Sequence, residues 1–151
     1  MLLALGPTRQ SVGARSKVSY MVEASPWVAI VDDDPSVLKA LARLLRARAF
    51  KAKTYTSARD FLAGLTDGLP ECLIVDLQMP EMNGLELQSH LTCRGVQIPT
   101  IVISAYNEPG VRERCTSAGA VTFLSKPLQE TLLLAAIDVA STLVKNRGVA
   151  D

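Results

Sequence analysis

At 151 residues, 48% of them apolar, the chain has room for one ordinary domain with a real core. Residues 1–26 hold Arg9, Arg15 and Lys17 against Glu23, about +2, which leaves 13 basic and 14 acidic residues, −1, from Trp27 onward. That balance argues against a nucleic-acid-binding surface, and no apolar run approaches the roughly 18 residues of a membrane span, so the chain reads as soluble.

The opening "MLLALGPTRQSVGARSKVSY" lacks a long apolar core after a basic start, which makes it a poor secretory signal. Its Gly, Ser, Arg and Pro content predicts a flexible tail over residues 1–25. An ordered domain is expected over 26–145, with a short tail over 146–151. Cys72, Cys93 and Cys115 are an odd number without CxxC spacing, read as buried free thiols in a reducing, cytoplasmic compartment.

"WVAIV" (27–31) is the first predicted strand and runs into Asp32, Asp33 and Asp34. Asp34 stands at an N-cap position with Pro35 at the first helical position, and Val37, Leu38, Leu41, Leu44 and Leu45 follow at helical spacing. "FKAKTY" (50–55) predicts a second strand, whose outward lysines suit a sheet edge; Ser57 and Asp60 then open a helix containing Phe61, Leu62 and Leu65. "CLIVD" (72–76) is apolar up to its last residue, the pattern of a buried central strand. The loop "LQMPEMNG" leads to a helix over about Leu85–Thr92. "PTIVISA" (99–105) is a fourth strand, a weaker helix covers about Pro109–Ala118, "AVTFL" (120–124) is a fifth strand, and a last helix covers about Leu128–Val144.

Five strands alternating with five helices predict a doubly wound α/β fold, a parallel sheet with helices on both faces. Ligands in such folds bind at the carboxyl ends of the strands. There the sequence places Asp32 and Asp33 after the first strand, Asp76 after the third, Ser104 after the fourth and Lys126 after the fifth. Adjacent carboxylates repel unless solvent, a helix N-terminus or a cation relieves them. Mg2+ suits this oxygen donor set. With the charge neutralised, Asp76 can act as a carboxylate nucleophile toward a phosphoryl group, with Lys126 pairing to one phosphoryl oxygen and Ser104 donating to another.

The motifs "VDDD", "LIVDLQMPEMNG", "IVISA" and "FLSKPL" together resemble the receiver (CheY-like) domain of two-component response regulators, over about Trp27–Leu143. The resemblance implies a five-stranded sheet of order 2-1-3-4-5. By position it implies that Asp76 is the phosphoacceptor, Asp33 a direct Mg2+ ligand, Asp32 an acidic neighbour acting through water, and Gln78 the donor of a backbone carbonyl to the metal. It further implies that Lys126 pairs with the phosphoryl group, that Pro127 follows a cis peptide, and that Ser104 and Phe123 are the switch pair. Gln78 and Tyr106 fall at positions that vary in the family and influence the lifetime of the phosphoryl group.

The partners implied are a sensor histidine kinase or phosphotransfer protein and a downstream protein partner or output domain. A phosphorylation-dependent homodimer through the last helix or the fourth-helix face is a further expectation. Only 25 residues follow Lys126, too few for a DNA-binding domain, although "FLAGL" and "LLLAAI" weakly resemble receivers joined to outputs of the FixJ or NarL kind.

Blander roles compete. The aspartates could merely cap a helix, although Asp34 suffices for that; Phe123 could be plain core; and His90, inside the third helix, suits packing or surface better than phosphotransfer. Asn83 and Gly84 are expected to serve unusual backbone angles. Two other functions stay open at this level. One is a small Mg2+-dependent phosphatase of the haloacid dehalogenase-like kind, with "DDD" imitating its DxD. The other is a degenerate domain that is never phosphorylated.

Overall fold

The computed structural model describes residues 26–150, with side chains through Val144. The expected tail over 1–25 lies outside the described residues, as does the side-chain detail of residues 145–151. Five strands, β1 (Trp27–Val31), β2 (Lys51–Tyr55), β3 (Cys72–Asp76), β4 (Thr100–Ser104) and β5 (Thr122–Ser125), alternate with five helices. The helices are α1 (Pro35–Ala47), α2 (Ala58–Gly64), α3 (Gly84–Cys93), α4 (Val111–Ser117) and α5 (Glu130–Ala150). All strand pairs are parallel and the order is β2-β1-β3-β4-β5, as the family resemblance implied.

Successive residues of a strand face opposite sides of the sheet, so each buried strand feeds two cores. Val28, Ile30, Ile74, Ile101 and Ile103 pack with Leu41 and Leu45 of α1 and Leu133 and Ile137 of α5. Ala29, Val31, Leu73, Val75 and Val102 face the other way, against Phe61 of α2, Leu87 and Leu91 of α3 and Val111 and Cys115 of α4. β3 and β4 are buried along their whole length, which accounts for their unbroken apolar runs. β2 lies at an edge, where Lys51 and Lys53 remain exposed.

The helix starts follow the capping chemistry of the sequence. The Asp34 carboxylate accepts from the Ser36 backbone N–H at 2.9 Å and from its hydroxyl at 2.7 Å, with Pro35 opening α1. The Ser57 hydroxyl accepts from Asp60 N–H at 3.1 Å. Asn83 and Glu86 form a reciprocal capping box, both bonds at 2.9 Å.

Several expectations shift. β5 begins two residues later than expected because Gly119 (φ 107°) and the bond from Ala120 N–H to Cys115 carbonyl complete the end of α4 first. α4 is shorter than Pro109–Ala118, since Gly110 is left-handed (φ 85°) immediately before it. α5 starts at Glu130 and continues past Val144 to Ala150. A 3-10 turn at Leu65–Asp67 was not foreseen, and Cys93, expected to be buried, is exposed; Cys72 and Cys115 are buried. Among the described residues no helix is long and apolar enough to cross a membrane.

Candidate phosphoryl-acceptor site

β1 and β3 are neighbours in the middle of the sheet and end side by side, which brings Asp32, Asp33 and Asp76 together. Their carboxylate oxygens lie within 4.8 Å of one another, the one such acidic cluster among the described residues. Asp32 and Asp76 are buried, and Asp33 faces solvent. Lys126, brought in from the end of β5, donates to Asp32 Oδ2 at 3.0 Å and lies 3.5 Å from Asp76 Oδ1. The other Asp32 oxygen accepts from the Asp34 N–H at 2.9 Å.

This charge balance has measurable consequences. Burial pushes the Asp76 carboxyl up to about 6; the neighbouring Asp32 adds to the rise, and Lys126 and the Gln78 backbone N–H oppose it. Burial pulls the Lys126 ammonium down, but its bond to Asp32 and the charges of Asp76 and Asp32 outweigh that and leave it above its ordinary value. Asp76 is thus the carboxylate whose charge is least well compensated. A hard cation would supply what is missing, and three clustered carboxylates, one open to water, fit the oxygen-rich, partly hydrated shell of Mg2+.

Backbone geometry fixes the floor of the pocket. A Cβ at Gly84 would meet the Asp76 carbonyl oxygen at 2.9 Å and Leu77 Cα at 3.2 Å, while Gly84 N–H donates to the Leu77 carbonyl at 3.1 Å. Its role is therefore close approach of α3 to β3 rather than an unusual angle. Asn83 has an ordinary φ of −84° and acts as a cap; the left-handed residue of this loop is Glu81, at φ 68°. Gln78 is exposed and its N–H faces the Asp76 carboxylate.

Ser104, fully buried at the end of β4, accepts from the Tyr106 N–H at 3.0 Å, and its carbonyl accepts from Lys126 N–H at 2.8 Å. The Lys126–Pro127 peptide is cis. Phe123 is buried against the core shared with α4, and Arg112 of α4 donates to its carbonyl at 3.0 Å with the guanidinium 5.2 Å from the ring centroid. His90 is exposed on α3. Sequence reasoning missed the Arg112 contact and the direct Lys126–Asp32 pair. The pair was findable, since both residues had been placed at strand ends of the same sheet edge. Arg112 carries no signal in one sequence, because an arginine on a helix is ordinarily solvated.

Residues 28–138 match the model of the response regulator receiver domain. The response regulator protein TmoT of Ectopseudomonas mendocina is 40% identical over 124 residues, 82% of this chain and 56% of its own length. The transcriptional regulatory protein FixJ of Rhizobium meliloti is 40% identical over 114 residues, 76% and 56% respectively. The chain thus spans little more than half the length of these relatives. Among solved structures, the FixJ-N crystal structure superposes with a TM-score of 0.73 at 38% identity, covering 79% of this chain and 95% of that one. The response regulator StyR gives 0.76 at 38% identity, covering 84% and 64%. Nothing among these matches supports the phosphatase reading. With five parallel strands in the order β2-β1-β3-β4-β5 and a receiver match over nearly all of the described domain, the chain belongs to the response regulator receiver family.

Proposed function

We propose that Asp76 accepts a phosphoryl group from the phosphohistidine of a sensor kinase or phosphotransfer protein. An Asp76 oxygen attacks phosphorus in line, the P–N bond breaks, and the imidazole leaves with the electron pair and takes up a proton. Asp33 and Asp76, the Gln78 carbonyl and, through water, Asp32 would hold Mg2+, which neutralises charge on the attacking carboxylate and the transferred group. Lys126 turns from Asp32 toward a phosphoryl oxygen. The Ser104 hydroxyl, which uses a lone pair on Tyr106 N–H, has its proton left to donate to a second oxygen.

The observation that carries this reading is the convergence of three carboxylates and one lysine at the carboxyl edge, where Asp76 is buried and poorly compensated. The product is a conformational state rather than a released compound. The added charge shifts Ser104 and Phe123 and with them the surface around α4, β5 and α5. That surface addresses a downstream protein partner or an output domain, in the cytoplasm. Self-dephosphorylation returns the resting state.

The test is intact-protein and peptide mass spectrometry after incubation with Mg2+ and acetyl phosphate, for the parent and Asp76→Asn. A Mg2+-dependent phosphoryl adduct on Asp76, missing in the variant, is the expected result. No adduct under trapping conditions, with a cognate phosphohistidine donor as well, would leave the degenerate-domain reading standing and refute the switch.

A further inference from the structure

Residues 35–59 contain no carboxylate, yet they hold seven of the 13 basic residues found from Trp27 onward. Arg48 pairs with Glu130, and Arg59 lies 3.7 Å from Glu81. The other five, Lys39, Arg43 and Arg46 of α1 and Lys51 and Lys53 of β2, are exposed and meet no carboxylate among the described residues. We propose that these five cations flank a docking edge, where an extended acidic segment of a partner protein adds to the free side of β2 as a sixth strand.

The sheet defines the free side. β2 is an edge strand paired only with β1. The Asp32 N–H donates to the Tyr55 carbonyl, so the backbone groups of Tyr55, Lys53 and Lys51 point to β1. By the alternation of a parallel strand, those of Ala52 and Thr54 point outward. Arg46 bears this out, since it reaches over from α1 and donates to the Ala52 carbonyl at 3.0 Å. An incoming carboxylate would take that guanidinium and release the carbonyl for pairing.

The charge distribution selects the occupant. Ala52 packs beneath α1, whereas Tyr55 packs on the opposite face of the sheet. Lys39, Arg43 and Arg46, spaced i, i+4 and i+7, line a cleft with Thr54 on the α1 face. Lys51 and Lys53 share the face of Tyr55. A strand laid along this edge therefore has cations on both of its faces. A second β2 edge would bring the same cations and be repelled. An acidic segment is attracted, and main-chain bonds to Ala52 and Thr54 would hold it.

Two other readings fit less well. Charges on the strand itself suffice to guard an edge against aggregation, but three of these five stand on α1. A nucleic-acid strand would match the charge but not the outward row of peptide donors and acceptors. The inference does not rest on phosphoryl transfer at Asp76.

The probe is the peptide acetyl-Glu-Thr-Glu-Val-Glu-Thr-Glu-Val-amide, titrated into the 15N-labelled full chain and followed by NMR and amide hydrogen exchange. Its controls are the same peptide with Gln for every Glu, and an octathymidylate. Saturable shifts at Ala52 and Thr54 are expected, with a dissociation constant on the order of 100 μM at about 0.02 M salt. Affinity should fall about tenfold at about 0.2 M salt. At saturation, exchange of the Ala52 and Thr54 amides should slow about tenfold, while that of Lys53, already turned to β1, stays unchanged. Lys39→Glu combined with Arg43→Glu should weaken binding at least about tenfold. If that pair fails to fold, Arg43→Gln alone should weaken it about threefold. Binding that survives these changes, or that the Gln peptide equals, overturns the proposal. So does peptide binding without slowed exchange at Ala52 and Thr54, or an octathymidylate that binds as tightly, or no saturable shift at all.

Discussion

Asp76→Asn is predicted to stabilise the fold in the absence of divalent cations. The Asp76 carboxyl is raised from 3.8 to about 6, chiefly by burial and then by the charge of Asp32. One pKa unit corresponds to about 1.4 kcal/mol, so ionising this group costs the folded state about 3 kcal/mol more than it costs the unfolded chain. Asparagine keeps the shape and removes the charge. Allowing for an amide that sits less well beside Lys126, the gain near pH 8 should be about 2 kcal/mol, or roughly 5–10 °C in melting temperature for a domain of this size.

The sign of the pH dependence follows from proton counting. Between pH 3.8 and about 6 the folded parent binds more protons at Asp76 than the unfolded chain does, so the contribution of this group to stability falls as pH rises through that window. Below about pH 4 both states are protonated and the advantage of the variant disappears. Urea and thermal melts of parent and variant in EDTA, at about pH 4 and about pH 8, measure the difference directly. Equal stability near pH 8, or an advantage that does not depend on pH, would refute the assignment of Asp76 as the uncompensated charge.

Saturating Mg2+ should stabilise the parent near pH 8, by about 2.7 kcal/mol at a hundredfold excess over the dissociation constant, and should stabilise Asp76→Asn much less; melts with and without the ion report both. Lys126→Met should remove phosphoryl-adduct formation in the mass-spectrometric assay. In EDTA near pH 8 it should destabilise the fold by about 3 kcal/mol, because Asp32 is left buried without its cation. Gly84→Ala forces a Cβ against the Asp76 carbonyl oxygen and should cost about 1–3 kcal/mol in urea denaturation, with weaker Mg2+ binding as the β3–α3 floor moves. Arg112→Ala should cost about 1 kcal/mol and broaden the NMR resonances of Phe123 and its strand neighbours, since the latch from α4 to the Phe123 carbonyl is lost.

The alternation of strands and helices, the buried run of β3 and the caps at Asp34 and Ser57 were legible because each rests on local chemistry, either an unbroken apolar run or a side-chain oxygen beside free N–H groups, whereas the strand order came from the family resemblance alone. The acidic cluster was legible too, since the residues at parallel strand ends share an edge whatever the loop details. What escaped was set by tertiary distance. Gly84 reads as a turn residue until α3 is packed so close to β3 that an added Cβ would meet the Asp76 carbonyl oxygen at 2.9 Å. The start of β5 depends on how α4 closes through Ala120 and Cys115, contacts with no local pattern. Phe123 occupies a core position, as the bland reading held, and its contact with Arg112 is visible only in three dimensions.

The pairing of Lys126 with Asp32 changes how the proposed switch must work. In the resting domain the lysine already compensates one of the two buried carboxylates, at 3.0 Å, and only grazes the other, at 3.5 Å. Phosphoryl transfer would ask the same ammonium for a new partner, so Asp32 must receive compensation as Lys126 turns away. Of the proposed site components, only the cation can provide it, because the Asp34 N–H is already bonded to the other Asp32 oxygen and carries no full charge. Metal binding is therefore expected to precede lysine transfer and to be required for it, beyond any aid to the chemical step. An adduct formed on Asp76 and then stripped of Mg2+ should lose the Lys126 contact and return the lysine to Asp32, which the 15Nζ resonance of Lys126 would report. A lysine that stayed on the phosphoryl group after metal removal would show that Asp32 tolerates its buried charge alone, and the coupling argued here would fail.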